Sequence, residues 1–249
     1  MDKVLLVTGG SRGIGAATAC LAARQGWQVV VNYSHRADAA EAVVQRIERE
    51  GGRALALQAD VTDEAQVLHL FEQIDQQLGR LSGLVNNAGV VDRPARVDEM
   101  DFARWRRMFD INVLGSLLCA REAVRRMSPR HGGNGGSIVN VSSAASRLGA
   151  PGQYVDYAAA KGAIDAFTIG LAKEVAAEGI RVNAVRPGLI ETDIHASGGL
   201  PNRVRDLQHT VPMQRGGSAE EVAEAIVWLL GDQSPYTTMS FLEVSGGRG

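Results

Sequence analysis

Tyr157 and Lys161 stand four residues apart in the run Tyr157-Ala158-Ala159-Ala160-Lys161, and upstream a serine pair, Ser142-Ser143, closes an apolar stretch. On a helix, residues i and i+4 share a face with about 6 Å of axial rise between them, so the phenol and the ammonium would project into one space. A free phenol, with a pKa of roughly 10, is too weak an acid to act as a base at neutral pH. A neighbouring ammonium favours the phenolate and is expected to lower that value. Lys3, Lys161 and Lys173 are the only lysines of an arginine-rich chain, which suggests that position 161 needs a compact ammonium rather than a guanidinium fork. Ser143 would hold a substrate oxygen while charge develops, a donor typically worth about 3 kcal/mol in a transition state. Taken alone, the pair also fits an amphipathic helix with a core tyrosine and a surface lysine.

A second pattern lies at the start: Thr8-Gly9-Gly10-Ser11-Arg12-Gly13-Ile14-Gly15 directly follows an apolar run. Between a strand and a helix, such glycines bring backbone close to a pyrophosphate, and the helix N-terminus offers free N–H groups. Gly9, Gly13 and Gly15 suit that cradle with Ser11 and Arg12 on its rim, and Ile14 would pack the helix on the sheet. At the end of the next strand, where an NAD site normally carries an acid, the chain reads Val30-Val31-Asn32-Tyr33-Ser34-His35-Arg36. With Asn32 in place of a carboxylate, Arg12 and Arg36 could pair with a 2′-phosphate. Asp38 is the counter-candidate, although an acid there also suits a helix first turn. NADP(H) is therefore expected, with NAD(H) as the alternative. Asp60-Val61 would cap the adenine, or Asp60 could cap a helix; Asn86-Asn87-Ala88-Gly89 would let backbone pass close to the cofactor, or form a simple turn.

These loops need a frame. Strand-like runs at 3–7, 27–32, 54–58, 81–85, 137–141, 180–185 and 240–244 alternate with helical patterns at 13–25, 38–50, 64–78, 102–127, 153–177 and 219–230. Near-continuous Val/Ile/Leu strands are buried on both faces, and alternation with helices implies right-handed crossovers. The expected fold is α/β: one Rossmann-type, doubly wound parallel sheet with helices on both faces, forming a single domain over residues 1–249. Gly132-Gly133-Asn134-Gly135-Gly136 reads as a flexible loop tip.

The 249 residues carry a formal net charge of −2, which gives no footprint for nucleic acid or anionic lipid. No apolar run nears the roughly 20 residues that span a bilayer, nor does the start read as a signal peptide, so a cytoplasmic protein without membrane attachment is expected. Cys20 and Cys119 lack a paired spacing, and the five histidines form no ligand cluster, so no metal is expected.

Taken together, Thr8 to Gly15, Asp60, Asn86 to Gly89, Asn112, Ser143, Tyr157, Lys161 and Pro187-Gly188 resemble the short-chain dehydrogenase/reductase family from end to end. The resemblance implies that Tyr157 is the general acid/base and that Lys161 lowers its pKa while holding the nicotinamide ribose. It further implies that Ser143 orients the substrate and that Asn112 supports a water-linked proton relay. The segment Pro187, Gly188, Ile190 and Thr192 would border the nicotinamide. Two departures from the family pattern stand out. One extra residue separates Ser143 from Tyr157, leaving Ser142 and Ala144 as register alternatives, and Ser245 stands where the family often shows Asp.

Residues 190–218 are polar and interrupted by Gly198-Gly199, Pro201 and Pro212, as befits a substrate lid; His195, Arg203 or Met213 could touch substrate there. On the 154–177 helix, Ile164, Phe167, Leu171 and Val175 form one stripe and Ala158, Gly162, Ile169 and Ala172 another. One stripe should pack on the sheet and leave the other for a partner helix, in keeping with the dimers and tetramers usual in the resembled family. Arg121, Arg125, Arg126 and Arg130 read as a solvated basic face. The leading expectation is an NADP(H)-dependent oxidoreductase interconverting a small-molecule carbonyl and a secondary alcohol. A catalytically silent NADP-binding regulatory or interaction subunit is the alternative from another class, which loss of Tyr157 or Lys161 would have favoured. An extended-type nucleotide-sugar epimerase or dehydratase is disfavoured by the glycine spacing and the short C-terminal portion.

Overall fold

The central strands of this chain are buried on both faces because both faces are covered, while the two edge strands stay partly exposed. A computed structural model describes residues 3–248; Met1, Asp2 and Gly249, which the single-domain expectation includes, lie outside them. In chain order the elements are β1 (Lys3–Val7), α1 (Gly13–Arg24), β2 (Trp27–Tyr33), α2 (Ala37–Arg49), β3 (Arg53–Gln58), α3 (Glu64–Gln77), β4 (Gly83–Asn86), α4 (Phe102–Phe109) and α5 (Gly115–Met127). There follow β5 (Gly136–Val141), α6 (Ala145–Leu148), α7 (Val155–Val175), β6 (Ile180–Pro187), α8 (Ile194–Ser197), α9 (Arg203–Leu207), α10 (Ala219–Leu230) and β7 (Phe241–Val244). The seven strands form one sheet in the order β3-β2-β1-β4-β5-β6-β7, and every neighbouring pair is parallel.

Alternation along the strands sorts the core into two layers. Leu5, Val7, Val29 and Val31 pack with Ala19, Ala23, Val43, Ile47, Ile226 and Val227 of α1, α2 and α10. Val4, Leu6, Val30 and Leu84 pack with Leu70, Phe71, Ala123, Met127 and Leu171 of α3, α5 and α7. The strand order reverses between β1 and β4, and the loops after these strands open the crevice where ligands of such sheets bind.

Three local readings change. The helix expected over 102–127 is α4 and α5 joined by a wide π turn at Asp110–Leu114, a form found often at functional sites. Gly133, Gly135 and Gly136 are packed rather than free: Gly135 has φ +83° against the Gly179 backbone, and Gly135 N–H donates to Met127 O at 2.8 Å. On α7, Ala158 and Ala172 are buried inside the subunit. Its outward face instead carries Ala159, Gly162, Ala166, Ile169 and Gly170. The arginines of α5 and the following turn are paired, Arg121 with Glu64, Arg126 with Asp75 and Arg130 with Glu178. Among the described residues no helix is long and apolar enough to cross a membrane, and no group of three His, Cys, Asp or Glu side chains could hold a metal ion.

Candidate active site

The crevice is stitched by polar side chains from β1 and β4. Thr8 Oγ1 accepts the N–H groups of Asn87 and Ala88, each at 3.0 Å. Asn87 Nδ2 donates back to the carbonyls of Thr8 and Gly9 at 2.9 and 3.0 Å. A Cβ at Gly15 would sit 2.5 Å from both Gly9 O and Asn87 Nδ2, so this glycine lets α1 seat on the loop rather than lining it. The α1 N-terminus has no side-chain cap and no acid in its first turn, leaving its N–H groups open to an anion. Below it lies a cleft of about 330 Å³, bordered by Gly9, Ser11, Arg12, Gly13 and Ile14, by Asp60 and Val61, by Asn87, Ala88 and Gly89, and by Thr192. The residues present therefore fit a dinucleotide.

At the end of β2 the structure redistributes the expected roles. Asn32 lines the cleft, but its side chain is turned inward and buried. Its Nδ2 donates to the carbonyls of Leu57 and Ala59 at 3.3 and 3.1 Å, and its Oδ1 accepts Gly9 N–H at 3.3 Å. It braces the glycine loop and has no donor left for a ribose. Arg36 borders the cleft, yet Asp38 grips its guanidinium twice, at 2.9 and 2.8 Å. That pairing holds the Asp38 carboxyl down at about 2. Arg12 is exposed and has no carboxylate partner among the described residues. Tyr33, Ser34 and His35 also border the cleft, an edge visible in the sequence only as the tail of a strand. Asp60 does not cap a helix. Its carboxylate accepts Thr62 N–H and Oγ1 at 2.9 and 2.8 Å, and the cap of α3 is Asp63.

Beside this cleft a cavity of about 470 Å³ is lined by Tyr157, Lys161, Ser142, Ser143, Pro187, Gly188, Ile190 and Thr192. Ser142 and Ser143 separate by environment. Ser142 is buried, its Oγ donating to Asp165 at 2.6 Å. The Ser143 hydroxyl accepts Ala145 N–H at 3.1 Å and lies beside the Tyr157 phenol. Ala144 has no hydroxyl to offer, and its N–H donates to Pro187 O at 3.0 Å.

Lys161 Nζ donates to Val141 O at 2.7 Å and lies 5.6 Å from the centre of the Tyr157 ring. The expected lowering of the phenol is not what this arrangement produces. Burial pushes Tyr157 up to about 12, only partly opposed by Ser143. Burial likewise pushes Lys161 down to about 8, against the charge of Asp165. Desolvation of the phenol outweighs the Ser143 hydrogen bond that opposes it.

Asn112 lies in the π turn, fully buried. Its Nδ2 donates to Val90 O and Met108 O, each at 3.0 Å, and its Oδ1 accepts Val90 N–H at 3.2 Å. The side chain is thus spent on the loop that carries Gly89, where a Cβ would come within 2.8 Å of Asn112 Oδ1 and 3.6 Å of Lys161 Nζ. Asp156, just before Tyr157, receives Arg104 at 2.7 and 3.1 Å and is almost fully buried. No local signal in the sequence marks this clamp on the first turn of α7, because an acid in a helix first turn is common whatever its partner. The 190–218 segment is pinned at its base by the Ile190–Gly217 bridge. From it His195 and Arg203 line the cavity, joined by Arg248, whereas Met213 lies outside and is exposed.

Comparison with known proteins places the chain among oxidoreductases of the same fold. A family model described as enoyl-(acyl carrier protein) reductase matches residues 9–248. The uncharacterized oxidoreductase YgfF of Escherichia coli K12 is 56% identical over 245 residues, covering 98% of this chain and 99% of that protein. A 3-oxoacyl-(acyl-carrier-protein) reductase of Synechocystis is 39% identical over 246 residues, covering 98% and 96%. The crystal structure of a short-chain type dehydrogenase/reductase from Mycobacterium marinum matches with a TM-score of 0.93 at 33% identity, covering 99% of this chain and 95% of that one.

Proposed function

We propose, from the premise that this chain belongs to the short-chain dehydrogenase/reductase family of oxidoreductases, that it interconverts a carbonyl and a secondary alcohol with NADP(H). The observation that carries the reading is the convergence of Tyr157, Ser143 and Lys161 on one cavity that adjoins the dinucleotide cleft. The Synechocystis relative, a 3-oxoacyl reductase by name, supports a ketone as the reducible group.

The open N-terminus of α1, with Gly9, Ser11 and Gly13, would hold the pyrophosphate, and Asp60 and Val61 would border the adenine. Arg12, which has no carboxylate partner among the described residues, would meet a 2′-phosphate, with Arg36 able to join it by sharing Asp38. When bound, the nicotinamide supplies or accepts the hydride. Tyr157, kept protonated by its burial, donates its proton to the oxygen of the reduced carbonyl. Ser143 holds the same oxygen by hydrogen bond, and the Lys161 ammonium stabilises the phenolate left behind. Asn112 acts as a positioning residue that fixes the Val90 backbone and Gly89 beside Lys161. The outward small-residue face of α7 supports a homo-oligomer, a dimer or tetramer.

The test is oxidation of NADPH and of NADH by the purified protein across a ketone panel, with Tyr157→Phe alongside. Turnover favouring NADPH, falling by roughly 10²–10⁴ in the variant, is the expected result. Tight NADPH binding with no turnover on any ketone would favour a silent dinucleotide-binding subunit instead.

A further inference from the structure

The cavity over Tyr157 is lined by Lys161, His195, Arg203 and Arg248 and by no Asp or Glu. The other partly buried arginines of the chain are answered within it. Arg104 is paired with Asp156, and Arg186 with Asp165 and Glu243. Arg181 is ringed by the carbonyls of Leu229, Leu230 and Gly231. Arg203 has neither kind of partner among the described residues. Its guanidinium lies 5.1 Å over the ring of Tyr154, half-buried, and feels the repulsion of Arg248, which adds to burial in weakening its hold on its proton. His195 does not compensate. Its Nε2 meets the Ile190 carbonyl at 3.0 Å, and burial together with Arg203 favours its neutral form. Two like charges facing one cavity without a counter-ion are costly unless a ligand completes them.

We propose that this cavity selects a carbonyl substrate bearing a carboxylate, held by Arg203 and Arg248 while the carbonyl faces Tyr157 and Ser143. The proposal rests on the oxidoreductase reading for its carbonyl end only. Arg203 belongs to α9 of the 190–218 segment and Arg248 to the C-terminal segment, so the anion would join two parts of the chain that close over the site. A carboxylate presents two oxygens to two guanidinium groups, and Leu148 and Tyr154 offer apolar surface for the carbon chain between the two ends.

The test compares 4-oxopentanoate, 5-oxohexanoate and 6-oxoheptanoate with their methyl esters, using the full chain with NADPH and with NADH. Binding of the acids to the cofactor-loaded protein is measured in parallel by calorimetry. The expected result is a kcat/KM ratio favouring acid over ester by about tenfold or more. That ratio should fall toward one in Arg203→Gln, be partly restored in Arg203→Lys, and be reduced in Arg248→Gln, which also carries the test if position 203 does not tolerate glutamine. Equal turnover of acids and esters, unmoved by Arg203→Gln, would overturn the anion site and leave the reductase reading intact. Arg203-dependent binding of acids without turnover would keep the anion site and sink the hydride-transfer reading. No binding of any acid, or a preference for dihydroxyacetone phosphate over all of them, would overturn the carboxylate assignment.

Discussion

Lys161 donates its ammonium to the main-chain carbonyl of Val141 at 2.7 Å, tying α7 to the last residue of β5. The bond fixes a cation beside the Tyr157 ring by anchoring it to backbone rather than to the phenol itself. Asp165, one turn further along α7, lends its charge to keep that cation protonated, while Arg186 at 3.0 Å and Ser142 hold the carboxylate in place.

A pH dependence follows. Carbonyl reduction needs a protonated phenol and a charged Lys161, so kcat/KM should be flat near neutrality and fall as pH rises through about 8, while Tyr157 keeps its proton. Asp165→Asn should move this limb to lower pH in a pH–rate profile; an unmoved limb would assign it to another group. Stability carries the matching sign. The folded pKa of Lys161 lies below the ordinary lysine value of 10.5, so the unfolded chain binds more protons between these values. The penalty of the buried ammonium is therefore full below about pH 8 and fades as pH rises toward 10.5.

The two adjacent serines should respond differently. Ser143→Ala should lower kcat by roughly 10²–10³ with little change in melting temperature. Ser142→Ala should instead cost about 1–3 kcal/mol of stability, because it removes a donor from the Asp165 carboxylate. Steady-state kinetics and denaturant titration of both variants separate the roles, and the reverse pattern would exchange them.

Cofactor preference should be adjustable at the end of β2. Asp38→Ala releases Arg36, and the NADPH-to-NADH ratio of kcat/KM should rise several-fold, on the order of one charge-assisted hydrogen bond. Arg12→Leu should lower it by a similar factor. A ratio indifferent to both changes would place the discrimination elsewhere in the cleft.

The clamp before Tyr157 should matter for stability as well as for rate. Asp156→Ala leaves Arg104 partly buried without its partner and should cost about 3–5 kcal/mol. Arg104→Met combined with Asp156→Leu should recover part of that loss in chemical denaturation, while activity stays low if the first turn of α7 is no longer held.

Much of this protein was legible in its sequence because the relevant signals are local. The apolar runs mark strands covered on both faces, the glycines after β1 mark a turn with open N–H groups, and the spacing of Tyr157 and Lys161 places both on one face of a helix. Long-range contacts decided the rest. Neighbouring serines on one strand end differ only because Asp165 waits for one and Tyr157 for the other. Asn32 turns inward because β3 and the residue after it offer the carbonyls of Leu57 and Ala59, 25 and 27 positions away. The direction of the Tyr157 shift depends on how much water the fold removes, which spacing does not encode. Arg203 and Arg248 are 45 positions apart in the chain, and only the tertiary structure makes them neighbours, because charges meet in space at a distance that helical and strand periodicities do not set.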